Sequence, residues 1–351
     1  MAEIRLENVT HNYGGKVLAV KNVNVTLPNG SNNALLGPSG CGKTTLMKII
    51  AGLLTPTGGR VLFDGKDVTE LSPQDRNVAM VFQFPVIYDM NVFDNLMFPL
   101  LSKNVPKREA QKEALRIAEL LGLTHALKYR SKDLDMGARQ RVTLGRALVR
   151  KPSAFLMDEP LSSIEPEGKW HLKMQIREIQ ETLDQTLIYV THDQSEALTL
   201  ADKIAVMHKG EFLQYASREE IYDNPSNTFV GYFIGDPGMN FVDCVLKNGS
   251  LAWDDFRYAA SPSLGKDGTE FVIGIRPEHV QANKSEQKDW IPAKLTSVEH
   301  LGNMVILHIL ARKHTIKAKL ETWDAPAGAV WIHFPKDKIK LFKKTGELVG
   351  A

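Results

Sequence analysis

The 351-residue chain has only two cysteines, Cys41 and Cys244, and no long hydrophobic run. Two thiols so far apart give no disulfide framework, and a reducing cytosol is the expected compartment. No window approaches the ~18 uninterrupted apolar residues of a membrane-spanning helix, so any membrane role must come through a partner. The start, Met1-Ala-Glu-Ile-Arg-Leu6, lacks the apolar segment of a secretory signal. An excess of one charge is missing too. Lys and Arg number 43 against 41 Asp and Glu, a net +2, which makes no electrostatic case for a nucleic-acid partner. There is no internal repeat, no low-complexity segment and no Asn-Lys-x-Asp run of the kind that selects guanine. The length and the ordinary hydrophobic share of 43% allow two domains with sizeable cores.

The most informative stretch is Gly37-Pro38-Ser39-Gly40-Cys41-Gly42-Lys43-Thr44-Thr45, which fits G-x-x-x-x-G-K-[ST]. Its glycines allow a tight turn that points successive N–H groups at the phosphates of a nucleoside triphosphate. Lys43 is placed to reach the β- and γ-phosphates, and the Thr44 hydroxyl to bind Mg²⁺. Such a loop must lie between a strand and a helix. Ala34-Leu-Leu36 precedes it, and Thr44 to Ala51 follows with helical spacing, with Gly52 as the expected C-cap. The positive end of that helix then faces the phosphates.

Short strands are expected at Ile4–Val9, Val17–Val20, Val23–Leu27, Val61–Phe63 and Val78–Phe82. Helices are expected from Pro106 to Leu121, stopped by Gly122, and from Glu167 to Asp184 with Leu172, Ile176, Ile179 and Leu183 on one face. Ala154–Met157 and Leu187–Val190 read as buried strands. Alternating strands and helices imply a mainly parallel α/β sheet with helices on both faces. Beyond Gly235-Asp-Pro-Gly238 the chain turns strand-like, and Asn248-Gly249 reads as a type I′ hairpin. Ile316, Ala318 and Leu320 alternate, as do Val330, Ile332 and Phe334. The expected domains are 1–235, with a helical part at about 84–150, and an all-β barrel over 236–351.

Ala154–Met157 runs into Asp158-Glu159. An acidic pair at the end of an apolar strand suits a metal and water site, with Asp158 holding Mg²⁺ and Glu159 polarising the attacking water. Alone, such a pair serves equally well as a turn or helix cap. Between the phosphate loop and this strand lies Leu134-Asp135-Met-Gly137-Ala-Arg-Gln-Arg141.

With these three motifs in order, the chain resembles the ATP-binding subunit of an ABC transporter over its first 235 residues. The resemblance implies a P-loop NTPase fold and ATP hydrolysis with Mg²⁺ as cofactor. It implies that Tyr13 stacks on adenine, that Gln83 links Mg²⁺ and the water to the membrane partner, and that His192 is the switch histidine at the γ-phosphate. Catalysis then rests on Lys43, Gln83, Glu159 and His192, and metal binding on Thr44, Gln83 and Asp158. Ser162-Ser-Ile-Glu165 occupies the loop that crosses the dimer interface. Ile221–Pro225, Phe229–Gly235, Met239–Phe241 and Gly274-Ile-Arg-Pro-Glu-His279 resemble the carbohydrate-importer subfamily of maltose, glycerol-phosphate and glycerol uptake ATPases. In that subfamily the C-terminal domain is a TOBE-like, OB-like barrel that contacts its twin or a regulator. The implied partners are two transmembrane permease subunits, whose coupling helix meets Phe84–Tyr88, a second ATPase subunit and, indirectly, a solute-binding protein. The implied place is peripheral, on the cytoplasmic face of a bacterial inner membrane.

The signature departs from the family's L-S-G-G-Q. Asp135 replaces Ser, Met136 the first Gly and Ala138 Gln, while Gly137 is kept. Ser donates to the γ-phosphate of ATP bound by the other subunit, and an ionised Asp cannot. At ~4 Å and an effective dielectric of ~20, the repulsion is about 4 kcal/mol per charge pair, against about 1 to 2 for the lost hydrogen bond. Asp135 is also a good N-cap for the helix that follows. Ser163 and Glu165 stand where Asn and Asp are usual. The expectation is pairing with an unlike ATPase subunit that carries a sound signature, or else a homodimer. Two other readings are an ATP-binding regulator with little turnover and a soluble ABC-type ATPase of DNA repair or translation. The absence of coiled-coil insertions or a second ATPase domain speaks against the latter.

Overall fold

The computed structural model describes residues 2–15, 17–183, 185–254, 256–259 and 264–349. The chain divides into two compact units, Met1–Arg218 and Glu219–Ala351. In the first, β1 (Ile4–His11), β2 (Val20–Leu27), β3 (Asn32–Leu36), α1 (Lys43–Ala51), β4 (Gly58–Phe63), β5 (Lys66–Asp67) and β6 (Val78–Val81) come first. Three helices follow, α2 (Val92–Leu101), α3 (Lys107–Leu120) and α4 (Met136–Leu148). Then come β7 (Ala154–Asp158), α5 (Pro166–Leu183), β8 (Thr186–Thr191), α6 (Gln194–Leu200), β9 (Lys203–His208) and β10 (Glu211–Ser217).

These strands form an antiparallel sheet, β2-β1-β4-β5, and a six-stranded sheet, β10-β9-β3-β8-β7-β6, in which only β10 runs antiparallel. Every residue of β3, β7 and β8 is buried, as a sheet covered on both faces requires. The period of two sorts the side chains between two cores. Phe155, Met157, Leu187 and Tyr189 pack with α2 to α5, and Ala154, Leu156, Ile188 and Val190 with α1 and the antiparallel sheet. The second face is therefore shared between a helix and a sheet. Among the three helices, Gly145 of α4 permits close approach: a Cβ there would lie 2.5 Å from Leu96 and 2.9 Å from Leu121.

Val17–Val20 is not a strand of its own. Val17 is 81% exposed, and Asn12 ties the preceding turn by accepting from the N–H groups of Gly14 and Gly15. The long helix starts at Pro166 and buries Leu172, Ile176 and Ile179. Its expected end at Asp184, and the Leu183 side chain, lie outside the described residues.

The second unit opens with α7 (Arg218–Asp223) and α8 (Thr228–Phe233). β11 (Asn240–Lys247), β12 (Ser250–Trp253), β13 (Phe256–Ala259), β14 (Glu270–Ile275), β15 (Gln281–Asn283), β16 (Ile291–His300), β17 (Val305–Ala311), β18 (His314–Leu320), β19 (Gly328–His333) and β20 (Lys340–Lys343) follow. They make two five-stranded antiparallel sheets, β13-β12-β11-β14-β20 and β15-β19-β16-β17-β18, around one core that holds Trp253, Phe271, Leu307, Ile332 and Phe334. Asn248 (φ 50°) and Gly249 (φ 68°) close the β11–β12 hairpin with the two positive φ angles of a type I′ turn. Arg276 explains why this unit begins before the change of composition near residue 236. Its buried guanidinium donates to the carbonyls of Tyr222, Gly231 and Ile234 and stacks on the Tyr222 ring at 4.1 Å. It thereby ties α7 and α8 to the barrel.

Candidate active site

The phosphate loop leaves β3 at Gly37 and enters α1 at Lys43. A Cβ on Gly37 would sit 2.2 Å from the Met207 carbonyl oxygen, and one on Gly42 2.2 Å from that of Ala19. Gly42 also has φ 108°, a conformation other residues rarely adopt. Pro38, Ser39 and Gly40 form the turn between them, with Gly40 at φ 76°. Cys41 is buried beneath it, and burial pushes its thiol above the ordinary value, so it acts as packing. No side chain caps the N-terminus of α1 and its first turn holds no acid, so its N–H groups are left for an anionic ligand. The C-terminus closes at Gly52 with φ 77°, as the sequence pattern requires.

Lys43 is only 6% exposed. Its ammonium donates to the carbonyls of Gly37 (2.7 Å) and Pro38 (3.0 Å), so the loop holds the cation in place with its own oxygens. The Thr44 hydroxyl lies 3.4 Å from Asp158 Oδ1. The Thr45 hydroxyl lies 3.3 Å from that of Tyr13, an exposed ring that meets His11 edge-on at 4.6 Å.

Asp158 ends β7 and is buried; burial first, and then the Glu159 charge, raises its carboxyl above the ordinary value, against the Thr44 hydroxyl and Lys43. Glu159 sits in the left-handed region (φ 47°), at a cost of about 1–3 kcal/mol for a non-glycine residue. Its N–H is held by the Val190 carbonyl at 2.9 Å, and its Oε1 lies 3.1 Å from Nδ1 of His192. Glu159, Ser162, Lys169, Thr191, His192 and Glu196 line a cavity of about 90 Å³. Gln83 is exposed just past the end of β6.

One topological fact brings these residues together. β3, β8, β7 and β6 are adjacent and parallel, and they carry at their carboxyl ends the phosphate loop, His192, Asp158-Glu159 and Gln83 respectively. That edge is where open parallel sheets bind ligands. The donors near Thr44 are hard oxygens, and no group of three or more His, Cys, Asp or Glu suited to a metal occurs among the described residues. A hydroxyl and one carboxylate fit Mg²⁺, which takes few protein ligands alongside phosphates and water.

Two predicted residues do not join this edge. Asp135 caps α4, accepting from the Ala138 N–H at 2.6 Å, and Gly137 lies in the first turn behind it. Among the described residues no hydrogen bond or ion pair joins Asp135 to the phosphate loop of its own chain. Phe84, Val86 and Tyr88 are exposed, Phe84 by 68%. Their loop is held from beneath. The buried Asn95 amide accepts from the Tyr88 N–H (2.9 Å) and donates to the carbonyls of Tyr88, Met90 and Asn91, while Arg146 stacks on the Tyr88 ring at 4.0 Å. Sequence reasoning missed Asn95 and Glu196. A single Asn in the apolar helix Val92-Phe-Asp-Asn-Leu-Met97 was a signal for the first, and an acid three residues past the Asp193 cap for the second.

Residues 20–162 match the model of the ABC transporter family, 235–280 that of the MalK OB fold domain and 273–342 that of the TOBE domain. The chain is similar to the trehalose/maltose import ATP-binding protein MalK of Thermococcus litoralis, with 39% identity over 98% of each chain. It is likewise similar to the sn-glycerol-3-phosphate import ATP-binding protein UgpC of Psychromonas ingrahamii, with 39% identity over 88% of this chain and 82% of that one. Among solved structures, cbiO1 of Clostridium perfringens, part of an ABC transporter complex, aligns with a TM-score of 0.59 and 27% identity over 62% of this chain and 89% of that one. A dimeric ATP-binding cassette, MJ0796, in a post-hydrolysis state with ADP and Pi aligns at 0.55 with the same identity, over 61% of this chain and 98% of that one.

Proposed function

The chain belongs to the ABC transporter family as an ATP-binding import subunit, and from that premise we propose how its residues share the work. It hydrolyses ATP to power solute import in company with transmembrane permease subunits. No helix among the described residues is long and apolar enough to cross a membrane. The convergence of four motifs on one sheet edge carries the reading of the site.

In this reading the backbone N–H groups of residues 39–45 and the Lys43 ammonium hold the β- and γ-phosphates, with Lys43 exchanging its loop carbonyls for phosphate oxygens. Tyr13 supports the adenine. Thr44, Asp158 and, just past β6, Gln83 would hold Mg²⁺, which when bound would offset phosphate charge. Glu159 orients and polarises the attacking water. His192, whose Nδ1 lies 3.1 Å from Glu159 Oε1, keeps that carboxylate in place and contacts the γ-phosphate. Phe84 to Tyr88 receive an apolar helix of the permease, and Gln83 next to them reports that contact to the site.

The solute is a sugar or polyol, glycerol among them, in keeping with the relatives named for trehalose, maltose and glycerol 3-phosphate. A solute-binding protein delivers it, and the subunit works peripherally on the inner face of the membrane. The partner across the nucleotide is a second, non-identical ATPase subunit, because Asp135 would face the γ-phosphate bound by that partner. Asp135 also favours one alternative, an ATP-binding regulator with little turnover. Glu159→Gln in the assembled transporter decides between them. Turnover falling about 10²–10⁴-fold with ATP binding retained fits the catalytic reading. A wild-type rate already at the level of that variant fits the regulator.

A further inference from the structure

Among the described residues only two carboxylates are buried, Asp158 and Glu196. Asp158 has a role at the metal; Glu196 has none in the scheme above. It lies in the first turn of α6, after the Asp193 cap, and its side chain turns back to β8. Its Oε2 accepts from the Tyr189 hydroxyl and the Thr191 hydroxyl, both at 2.7 Å. Thr191 Oγ1 in turn accepts from the Asp193 N–H at 2.9 Å. The residues on either side of His192 are therefore tied to a single buried oxygen. Burial, reinforced by the Glu196 charge, pushes the Tyr189 phenol well above its ordinary value, so it remains a donor. Glu196 also shares the small cavity with Glu159 and His192. A carboxylate is a costly way to satisfy two hydroxyls, since an amide or an apolar side chain there escapes the desolvation of a charge. Its placement therefore calls for more than packing.

We propose that Glu196 is a positioning residue for ATP hydrolysis: through Thr191 and Asp193 it fixes the backbone that presents His192 to Glu159. The proposal rests on the reading that His192 and Glu159 act in turnover. In the assembled ATPase, Glu196→Ala is expected to lower kcat about 10- to 100-fold, the scale of a misplaced catalytic group, with KM for ATP within about twofold. Glu196→Gln restores most of the rate, because the amide oxygen can accept both hydroxyls. The Glu196→Ala/His192→Ala pair is no slower than His192→Ala alone. In the isolated, nucleotide-free chain, Glu196→Ala speeds amide exchange over residues 189–196 and leaves 37–52 unchanged. Thr191→Val, which cuts the link but keeps the carboxylate, gives the same pattern if Glu196→Ala does not fold. Rate losses that multiply in the double variant, or exchange over 189–196 that does not change, overturn the proposal. If His192→Ala and Glu159→Gln leave kcat intact, the reading of the catalytic site fails instead, and the exchange result still decides whether Glu196 fixes this segment.

Discussion

At the carboxyl edge of the parallel sheet, Lys43, Thr44, Asp158, Glu159 and His192 each meet another residue of the same chain. Lys43 rests on the carbonyls of Gly37 and Pro38, Thr44 faces Asp158, and Glu159 faces His192. At the start of α4 the arrangement is different. Asp135 is exposed, and among the described residues its side chain accepts only from the Ala138 N–H of its own helix. Preorganisation lies on the first side only. In the function proposed above, the first side binds nucleotide within one chain and the second acts only against another chain. Of the departures from the family pattern, Asp135, Met136 and Ala138 lie on that second side, while Ser163 and Glu165 follow Asp158-Glu159 past the end of β7.

The sharpest way to test this contrast is a pair of glycine substitutions. Gly42→Ala puts a Cβ into the Ala19 carbonyl at φ 108° and is expected to weaken ATP binding by the isolated chain at least about 100-fold in a titration calorimeter. Gly137→Ala meets nothing closer than Asp135 Oδ1 at 3.4 Å, so the isolated chain should bind ATP as before. Equal losses from both would erase the distinction between the two sides.

A smaller effect is expected from Asp135→Ser. It removes the charge and supplies a hydroxyl, and ATPase of the chain alone should rise about tenfold or more. Ser and Asp cap helices about equally well, so stability should stay within about 0.5 kcal/mol. An unchanged rate would mean that α4 never faces nucleotide.

The smallest is a pH effect at Asp158. Its carboxyl is raised by burial, so the folded, nucleotide-free chain binds that proton more tightly than the unfolded chain. Stability therefore falls as pH rises from the ordinary value of 3.8 through the raised one, and the penalty is present at pH 7. Asp158→Asn should raise the nucleotide-free melting temperature at pH 7, with the gain shrinking as pH falls towards 3.8, while Mg²⁺-dependent ATP binding weakens. A lower melting temperature at pH 7 would place the Asp158 charge among the stabilising contacts.

Local chemistry was the legible part of this chain. The phosphate loop between a strand and a helix, the Gly52 cap, the fully buried β7 and β8 and the Asn248-Gly249 turn each follow from neighbours in sequence. What the sequence hid depends on how the fold turns and buries particular side chains. Val17 had the pattern of a strand, but the Asn12-tied turn leaves it in solvent. Arg276 draws residues 219–235 to the barrel through carbonyls more than forty positions away. Asn95 and Glu196 are ordinary polar letters until the fold buries them against one loop and one strand end.

The most direct test of the central claim, that a complete phosphate-loop side is joined to a signature side unfit for self-pairing, is light scattering on Glu159→Gln purified alone, with and without Mg-ATP. The account predicts a monomer that binds ATP and stays a monomer. A clean ATP-dependent homodimer would contradict it, and would mean that Asp135 is tolerated at the phosphate of a second copy.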